Sequence, residues 1–281
     1  MNTKKLSLFI VISLCVGFLS FTSAQDVVKI LAIGNSFSTD AAESYVDDLA
    51  KADGLQLIIA NMYIGGCSLE THWKNAERDS AAYSYRKIIN GDTTVVAKQK
   101  LSTAMQDEDW DYITFQQASP YSGLIDSYFP YLTNLVAYTQ QLATNPDVQF
   151  AFHQTWAYAA NSTHKGFKNY NNDQQQMYEA IVGTVNAAVK QAGIDIVIPA
   201  GTAIQNGRTS CVGDHFCRDG YHLSLGLGRF TAACTWYEKL LKRPVIDNSF
   251  IPSGVTQEEA KVAKHAAHNA VKQPNRVTPM P

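Results

Sequence analysis

Apolar and polar positions along the chain follow two alternating periods, and the switches between them outline an α/β protein. Val27 to Ile33 is an apolar run broken only by Lys29, the pattern of a strand covered on both faces, and it passes into the turn Gly34-Asn35-Ser36-Phe37-Ser38. Asp40, with Glu43 three residues on, reads as the cap of a helix that buries Tyr45, Val46, Leu49 and Ala50. Further strands are expected at Leu55–Met62, Tyr112–Gln116, Val148–Gln154 and Ile194–Pro199, separated by helices over Val96–Met105, Tyr128–Leu142 and Gln174–Gln191. Helices over Ser224–Leu241 and Gln257–Val271 follow, and residues 272–281 read as a frayed tail.

Parallel strands need crossover connections, so five buried strands separated by helices predict a parallel sheet with helices on both faces. No Pro-, Gly- or Ser-rich linker divides residues 25–271, which are expected to form one domain. In such sheets ligands bind outside the carboxyl ends of the strands, near the point where strand order reverses. The polar segments at those ends are Gly34-Asn35-Ser36, Gly65-Gly66-Cys67-Ser68, Gln116-Gln117-Ala118-Ser119 and His153-Gln154-Thr155-Trp156, with Arg218-Asp219-Gly220-Tyr221-His222 beyond the last strand.

Composition narrows the function. With 46% hydrophobic and 17% charged residues, and 23 basic against 25 acidic side chains, the chain is neither disordered nor a nucleic-acid binder. Lys4 and Lys5 precede an uncharged run from Leu6 to Phe21 that ends in Thr22-Ser23-Ala24, a signal peptide for export to the periplasm or the extracellular space, cut after Ala24. The run falls short of the roughly 20 residues of a membrane span, and Leu14 before Cys15 argues against lipid attachment. Its removal takes the net charge from -2 to -4 and leaves no membrane span in the mature chain.

Export permits disulfides, and Cys211 and Cys217 flank a five-residue loop that a bridge would close; Cys67 and Cys234 stand apart. Zinc is the rival reading, because Asp214, His215, Cys217, Asp219 and His222 crowd one segment. A structural zinc site would need a second ligand pair that the chain lacks, so no metal is expected.

A serine becomes a nucleophile only when a base takes its proton and a third group orients that base. Ser36, on a strand-to-helix turn, and Asp219-x-x-His222, where one turn brings carboxylate beside imidazole, supply the three types. Taken singly, Ser36 reads as part of a capping turn and Asp219-x-x-His222 as a polar loop before a helix. His72 and His153 lack an acid at matching spacing, and His265 and His268 read as a solvated helix face. The motifs Gly-x-Ser-x-Gly, His-Glu-x-x-His, the Walker loop and Gly-x-Gly-x-x-Gly after the first strand are absent.

Together, Gly34-Asn35-Ser36-Phe37-Ser38, Gly65-Gly66, an amide side chain after the third strand and Asp219-x-x-His222 resemble the four blocks of the SGNH (GDSL) hydrolase superfamily, in order and spacing, from about Val27 to Leu241. More narrowly, the chain resembles a secreted branch of that superfamily. The resemblance implies a three-layer α/β/α sandwich around a five-stranded parallel, flavodoxin-like sheet. It implies Ser36 as nucleophile, His222 as general base and Asp219 as its orienting partner, with an oxyanion hole made by the N–H groups of Ser36 and Gly66 and a side-chain amide. Two departures stand out: Asn35 replaces the usual Asp before the serine, and the third block offers Gln116 and Gln117 instead of Asn. Strand alternation puts these glutamines on opposite faces, and Gln117, nearer the strand's carboxyl end, is the expected donor.

The stretch Gly65-Gly66-Cys67-Ser68-Leu69-Glu70-Thr71-His72-Trp73 is also similar to a segment of sialate O-acetylesterases and acetylxylan esterases, which implies acetylated sugars as substrates. Asn35, Gln116, Glu70, Trp156 and Tyr221 are expected to contact the substrate, and Tyr121, Tyr158 and Tyr170 are further aromatics for sugar faces, though loop aromatics more often pack. The expected function is thus an exported serine esterase that removes acyl groups, acetyl foremost, from carbohydrate without metal or organic cofactor. A non-catalytic glycan-binding protein on the same fold and an acyltransferase using the same serine are the alternatives.

Overall fold

The computed structural model describes residues 27–281; the expected signal peptide, residues 1–24, lies outside them. The elements run in the order β1 (Val27–Gly34), α1 (Ser36–Ala42), α2 (Val46–Ala52), β2 (Gln56–Tyr63), α3 (Leu69–Glu77), β3 (Tyr83–Ile89), β4 (Asp92–Gln99), α4 (Leu101–Met105) and β5 (Tyr112–Phe115). They continue with α5 (Tyr131–Leu142), β6 (Gln149–His153), α6 (Gln174–Ala192), β7 (Ile196–Ile198), α7 (Ala200–Arg208), α8 (Leu227–Leu241) and α9 (Gln257–Lys272).

All strands join one mixed sheet in the order β4-β3-β2-β1-β5-β6-β7. The five expected parallel strands form its β2-β1-β5-β6-β7 portion. The sheet has seven strands, however, because β3 and β4 add an antiparallel hairpin beside β2. The hairpin explains the failure of the helix expected over Val96–Met105. Asn90 (φ 55°) and Gly91 (φ 89°) form a two-residue turn between paired Ile89 and Asp92, the left-handed pair that matches the twist of antiparallel strands. The β-branched run Thr93-Thr94-Val95-Val96 then lies in β4, leaving only Leu101–Met105 helical.

Ile30 to Ile33 in β1 are all essentially inaccessible, as an uninterrupted apolar strand requires when helices cover both faces. The helices pack in two groups, α3, α4 and α5 with α6, and α1, α2, α7 and α9 around α8. Helix α1 starts at Ser36, earlier than expected, because the Asn35 side chain caps it by accepting from the Phe37 N–H. Asp40 therefore caps nothing and lies buried inside α1. The last residues run along α7, held by hydrogen bonds from Thr202 Oγ1 to the Pro274 carbonyl (2.7 Å), from the Thr278 N–H to Asn206 Oδ1 (2.7 Å) and from the Met280 N–H to Thr209 Oγ1 (2.8 Å). Among the described residues no helix is long and apolar enough to cross a membrane.

Candidate active site

The carboxyl ends of β1 and β5 meet where strand order reverses, and the turn after β1 places Ser36 at the first position of α1. Ser36 and His222 lie 186 residues apart in sequence, yet the Ser36 hydroxyl is 2.9 Å from His222 Nε2. On the far side of the ring, Nδ1 is 2.7 Å from Asp219 Oδ2. Asp219 Oδ1 accepts from the backbone N–H groups of His222 (2.7 Å) and Tyr221 (3.2 Å), which fixes the carboxylate under its histidine. Burial pushes the Asp219 carboxyl up, but the His222 ring hydrogen bond and these two N–H groups outweigh it and hold the group below its ordinary value. An ionised carboxylate only accepts, so Nδ1 carries a ring proton, and in a neutral imidazole that tautomer leaves Nε2 as the acceptor facing the serine hydroxyl.

Ser36, Gly66, Tyr121, His164, Tyr221 and His222 face one cleft of about 500 Å³. Gly66 has φ 64°, a left-handed conformation that suits glycine. Among the described residues, neither its backbone N–H nor that of Ser36 has an acceptor, so two residues lining the cleft carry N–H groups without partners.

The glutamines behave differently from the sequence expectation. β5 ends at Phe115, so Gln116 and Gln117 lie past the strand, where strand alternation no longer orders them. The Gln117 amide donates to the Ser127 carbonyl (2.8 Å) and hydroxyl (3.0 Å), while its oxygen accepts from the Leu69 and Ala118 N–H groups. Gln116 donates to Asn35 Oδ1 (2.6 Å) and accepts from His153 Nδ1 (3.0 Å). Gln117, the expected donor, is thus engaged with Ser127 and lines the neighbouring lobe instead of the cleft at Ser36.

Asn35 is itself engaged on both sides, accepting from Phe37 and Gln116 and donating to the Cys67 carbonyl (2.9 Å). Asn35 and Gln116 thus brace the cleft, whose lining includes Asn35 but not Gln116. Their network joins the serine turn to the loop that carries Gly66. Trp156 is also buried: it stacks on Phe37 with ring centroids 4.2 Å apart and donates from Nε1 to the Tyr221 carbonyl (2.7 Å). It packs beneath the residues adjoining Ser36 and His222. Tyr158 and Tyr170 are buried too, whereas Tyr121 is 45% exposed at the cleft. Glu70 lies in a neighbouring lobe with Gln117, its carboxylate 2.6 Å from Lys74 Nζ.

The spare histidines are closed off. Burial pushes His72 and His153 down to about 3, which keeps both neutral, and Tyr83 and Gln116 respectively engage their Nδ1 atoms. No disulfide joins Cys211 and Cys217: Cys217 packs beside Arg208 and pairs by its backbone with Leu223, while Cys211 is exposed on a cleft with residues of α9. Burial pushes the Cys217 thiol up to about 11. Among the described residues no three His, Cys, Asp or Glu side chains converge as a metal site.

Two features escape a linear reading. Asp40, one turn after Ser36, accepts from Arg229 Nε (2.8 Å), Arg218 Nη1 (3.2 Å) and the Leu223 N–H (2.8 Å), partners 178 to 189 residues away. No local signal announces such a clamp. His164 lines the cleft with Nδ1 accepting from the Gly166 N–H, its ring centroid 4.7 Å from that of Tyr221; burial first, and the nearby His222 second, hold it below the usual imidazole range.

A profile for a domain of unknown function, DUF4886, matches residues 29–270. A crystal structure of a DUF4886 family protein from Bacteroides uniformis shares 50% identity, covers 91% of this chain and 98% of its own, and superposes with a TM-score of 0.89. A protein from Slackia heliotrinireducens, proposed to be an SGNH hydrolase, shares 18% identity over 76% of this chain and all of its own (TM-score 0.53). A variant of an acetyl xylan esterase from Geobacillus stearothermophilus shares 12% over 80% and 97% respectively (TM-score 0.50). At these lower identities what is shared is the fold. No curated protein matches the chain.

Proposed function

This chain belongs to the DUF4886 family, and from that premise we propose that it is an exported serine esterase of SGNH type that removes acyl groups, acetyl foremost, from carbohydrate. The observation that carries the reading is the line from Ser36 Oγ through both nitrogens of His222 to Asp219, with separations of 2.9 and 2.7 Å, opening on a cleft with two backbone N–H groups that have no acceptor among the described residues. The acetyl xylan esterase fold is consistent with it.

In this mechanism His222 Nε2 takes the hydroxyl proton as Ser36 Oγ bonds to the ester carbonyl carbon, and Asp219 stabilises the imidazolium that forms. The carbonyl oxygen, now negative, receives the N–H groups of Ser36 and Gly66. Collapse breaks the bond to the sugar oxygen, which takes the proton from Nε2 and leaves an acyl-Ser36. Water attacks that acyl group by the same sequence, releasing the acid and restoring the serine. Each oxyanion donor is worth about 10²- to 10³-fold in rate.

The test is hydrolysis of 4-nitrophenyl acetate by the chain beginning at Gln25 and by its Ser36→Ala variant. A loss of about 10⁴-fold or more is expected, together with fluorophosphonate labelling of the parent at Ser36. Wild-type rates in the variant, or no acyl-ester activity and no labelling in the parent, would reject the proposal. N-terminal sequencing of the protein recovered from its source is expected to begin at Gln25.

A further inference from the structure

The cleft at Ser36 does not end at its rim. Gly66 and Tyr121 also line a second lobe of about 600 Å³, larger than the first, so the two lobes share one wall. The second lobe lies between the start of α3 and the segment before α5. Its chemistry differs from the first: Ser68 and Thr71 offer a pair of hydroxyls 3.1 Å apart, Glu70 and Asp126 offer carboxylates, the Ser127 hydroxyl is taken up by Gln117 and the Leu124 carbonyl, and no lysine or arginine is in the lining. Lys74, outside it, is already paired with Glu70 at 2.6 Å. Tyr121, 45% exposed at the junction, lines both lobes with its aromatic side chain.

We infer that this second lobe is a binding subsite for the unesterified sugar units of a neutral oligosaccharide whose acylated unit sits at Ser36. The inference rests on the esterase reading for the position of the acylated unit, and on the lobe itself for the rest. Carboxylates and hydroxyls accept from and donate to sugar hydroxyls, and an aromatic face packs against the C–H face of a pyranose ring. An anionic sugar finds the opposite: its carboxylate would lose water beside Asp126 and Glu70 with no lining cation to replace it. The space exceeds what an acetyl group alone requires, which is why the subsite is assigned to the chain beyond the ester.

The test uses Ser36→Ala protein, so that binding is read without turnover, and calorimetric titration with xylotetraose, cellotetraose, mannotetraose and, as the anionic probe, tetragalacturonate. At least one neutral tetrasaccharide is expected to bind, tetragalacturonate at least tenfold more weakly. Adding Thr71→Trp, which places an indole in the lobe from an exposed position, is expected to weaken the neutral ligand at least tenfold while the melting temperature stays within a degree or two. In the active protein the same substitution is expected to lower kcat/KM for an acetylated tetrasaccharide at least tenfold relative to 4-nitrophenyl acetate. No binding by any neutral probe, equal or tighter binding of tetragalacturonate, or indifference to Thr71→Trp would overturn the subsite. A parent inactive on every ester but retaining Thr71-sensitive binding would reject the esterase and leave the subsite standing.

Discussion

The Asp40 carboxylate accepts a 2.8 Å hydrogen bond from the backbone N–H of Leu223, so the helix turn that follows Ser36 is tied directly to the residue that follows His222. Arg229 and Arg218 converge on the same carboxylate, and the Arg218 guanidinium also donates to the Leu223 carbonyl. Serine and histidine are thus aligned by a group that touches neither.

Replacing Asp40 tests that alignment. The carboxylate is 1% exposed, and removing it strands two guanidinium groups beside a buried helix. Asp40→Ala is expected to destabilise the fold by about 3 kcal/mol, at the low end for a broken buried pair because both arginines are partly exposed. Under conditions where the variant remains folded, kcat on 4-nitrophenyl acetate should fall more than KM rises. Urea unfolding and steady-state kinetics measure the two effects, and an unchanged kcat in folded protein would contradict the alignment.

Stability is expected to fall on mild acidification because His72 and His153 are buried neutral. Both titrate near 3 in the folded chain but near 6.5 once unfolded, so between those values the unfolded state binds more protons and stability rises with pH. Each histidine then costs roughly 2 kcal/mol at pH 5 relative to pH 7 or above, on the order of 1.4 kcal/mol per unit of difference. Denaturant titrations at the two pH values give the comparison. The fall should be smaller in His72→Phe, whose ring cannot take a proton.

Two glycines should respond in opposite directions to alanine. A methyl group on Gly34 would lie 2.5 Å from Ser38 Oγ, 2.8 Å from Ser38 Cβ and 3.1 Å from Gln116 Cδ, immediately before the turn that carries Ser36. Gly34→Ala is expected to cost about 1–3 kcal/mol and to lower activity by displacing Ser36. Gly183, within α6, has open space around the added atom, and Gly183→Ala should raise stability by about 0.5–1 kcal/mol. Thermal melts of the pair decide both signs.

Thiol chemistry checks the cysteine arrangement. In the chain beginning at Gln25, Ellman's reagent at pH 8 should react quickly with Cys211 alone, since burial pushes Cys67 up to about 12 and Cys234 well above the ordinary thiol value. Denaturant should then release the other three, and reduction should leave the intact mass unchanged. A mass increase on reduction would reveal a bridge.

What the sequence disclosed was what lies close together along it. The apolar run of β1, the turn at Ser36 and the pair Asp219-x-x-His222 are local patterns, and each stands where the pattern pointed. The β3–β4 hairpin was equally local, with Asn90-Gly91 as its turn, but a helical reading of the following residues obscured it. The glutamines were misread because period-two alternation was extended beyond Phe115, where the strand stops. Trp156 illustrates a different limit: its place beneath Phe37 and Tyr221 depends on packing between distant segments, and nothing beside it in the chain distinguishes a buried indole from one facing a ligand. The Asp40 clamp is longer-ranged still.

The separation between Ser36 and His222 bears on the biogenesis of the protein. A chain synthesised from its N-terminus produces Ser36 at the junction of β1 and α1, then some 186 residues before His222, and about seven more before Arg229 completes the clamp. On the proposed esterase reading, an emerging or truncated chain carries Ser36 without its base in the meantime. Esterase activity would therefore report the completed fold, and its recovery during refolding would time the docking of the histidine loop onto α1.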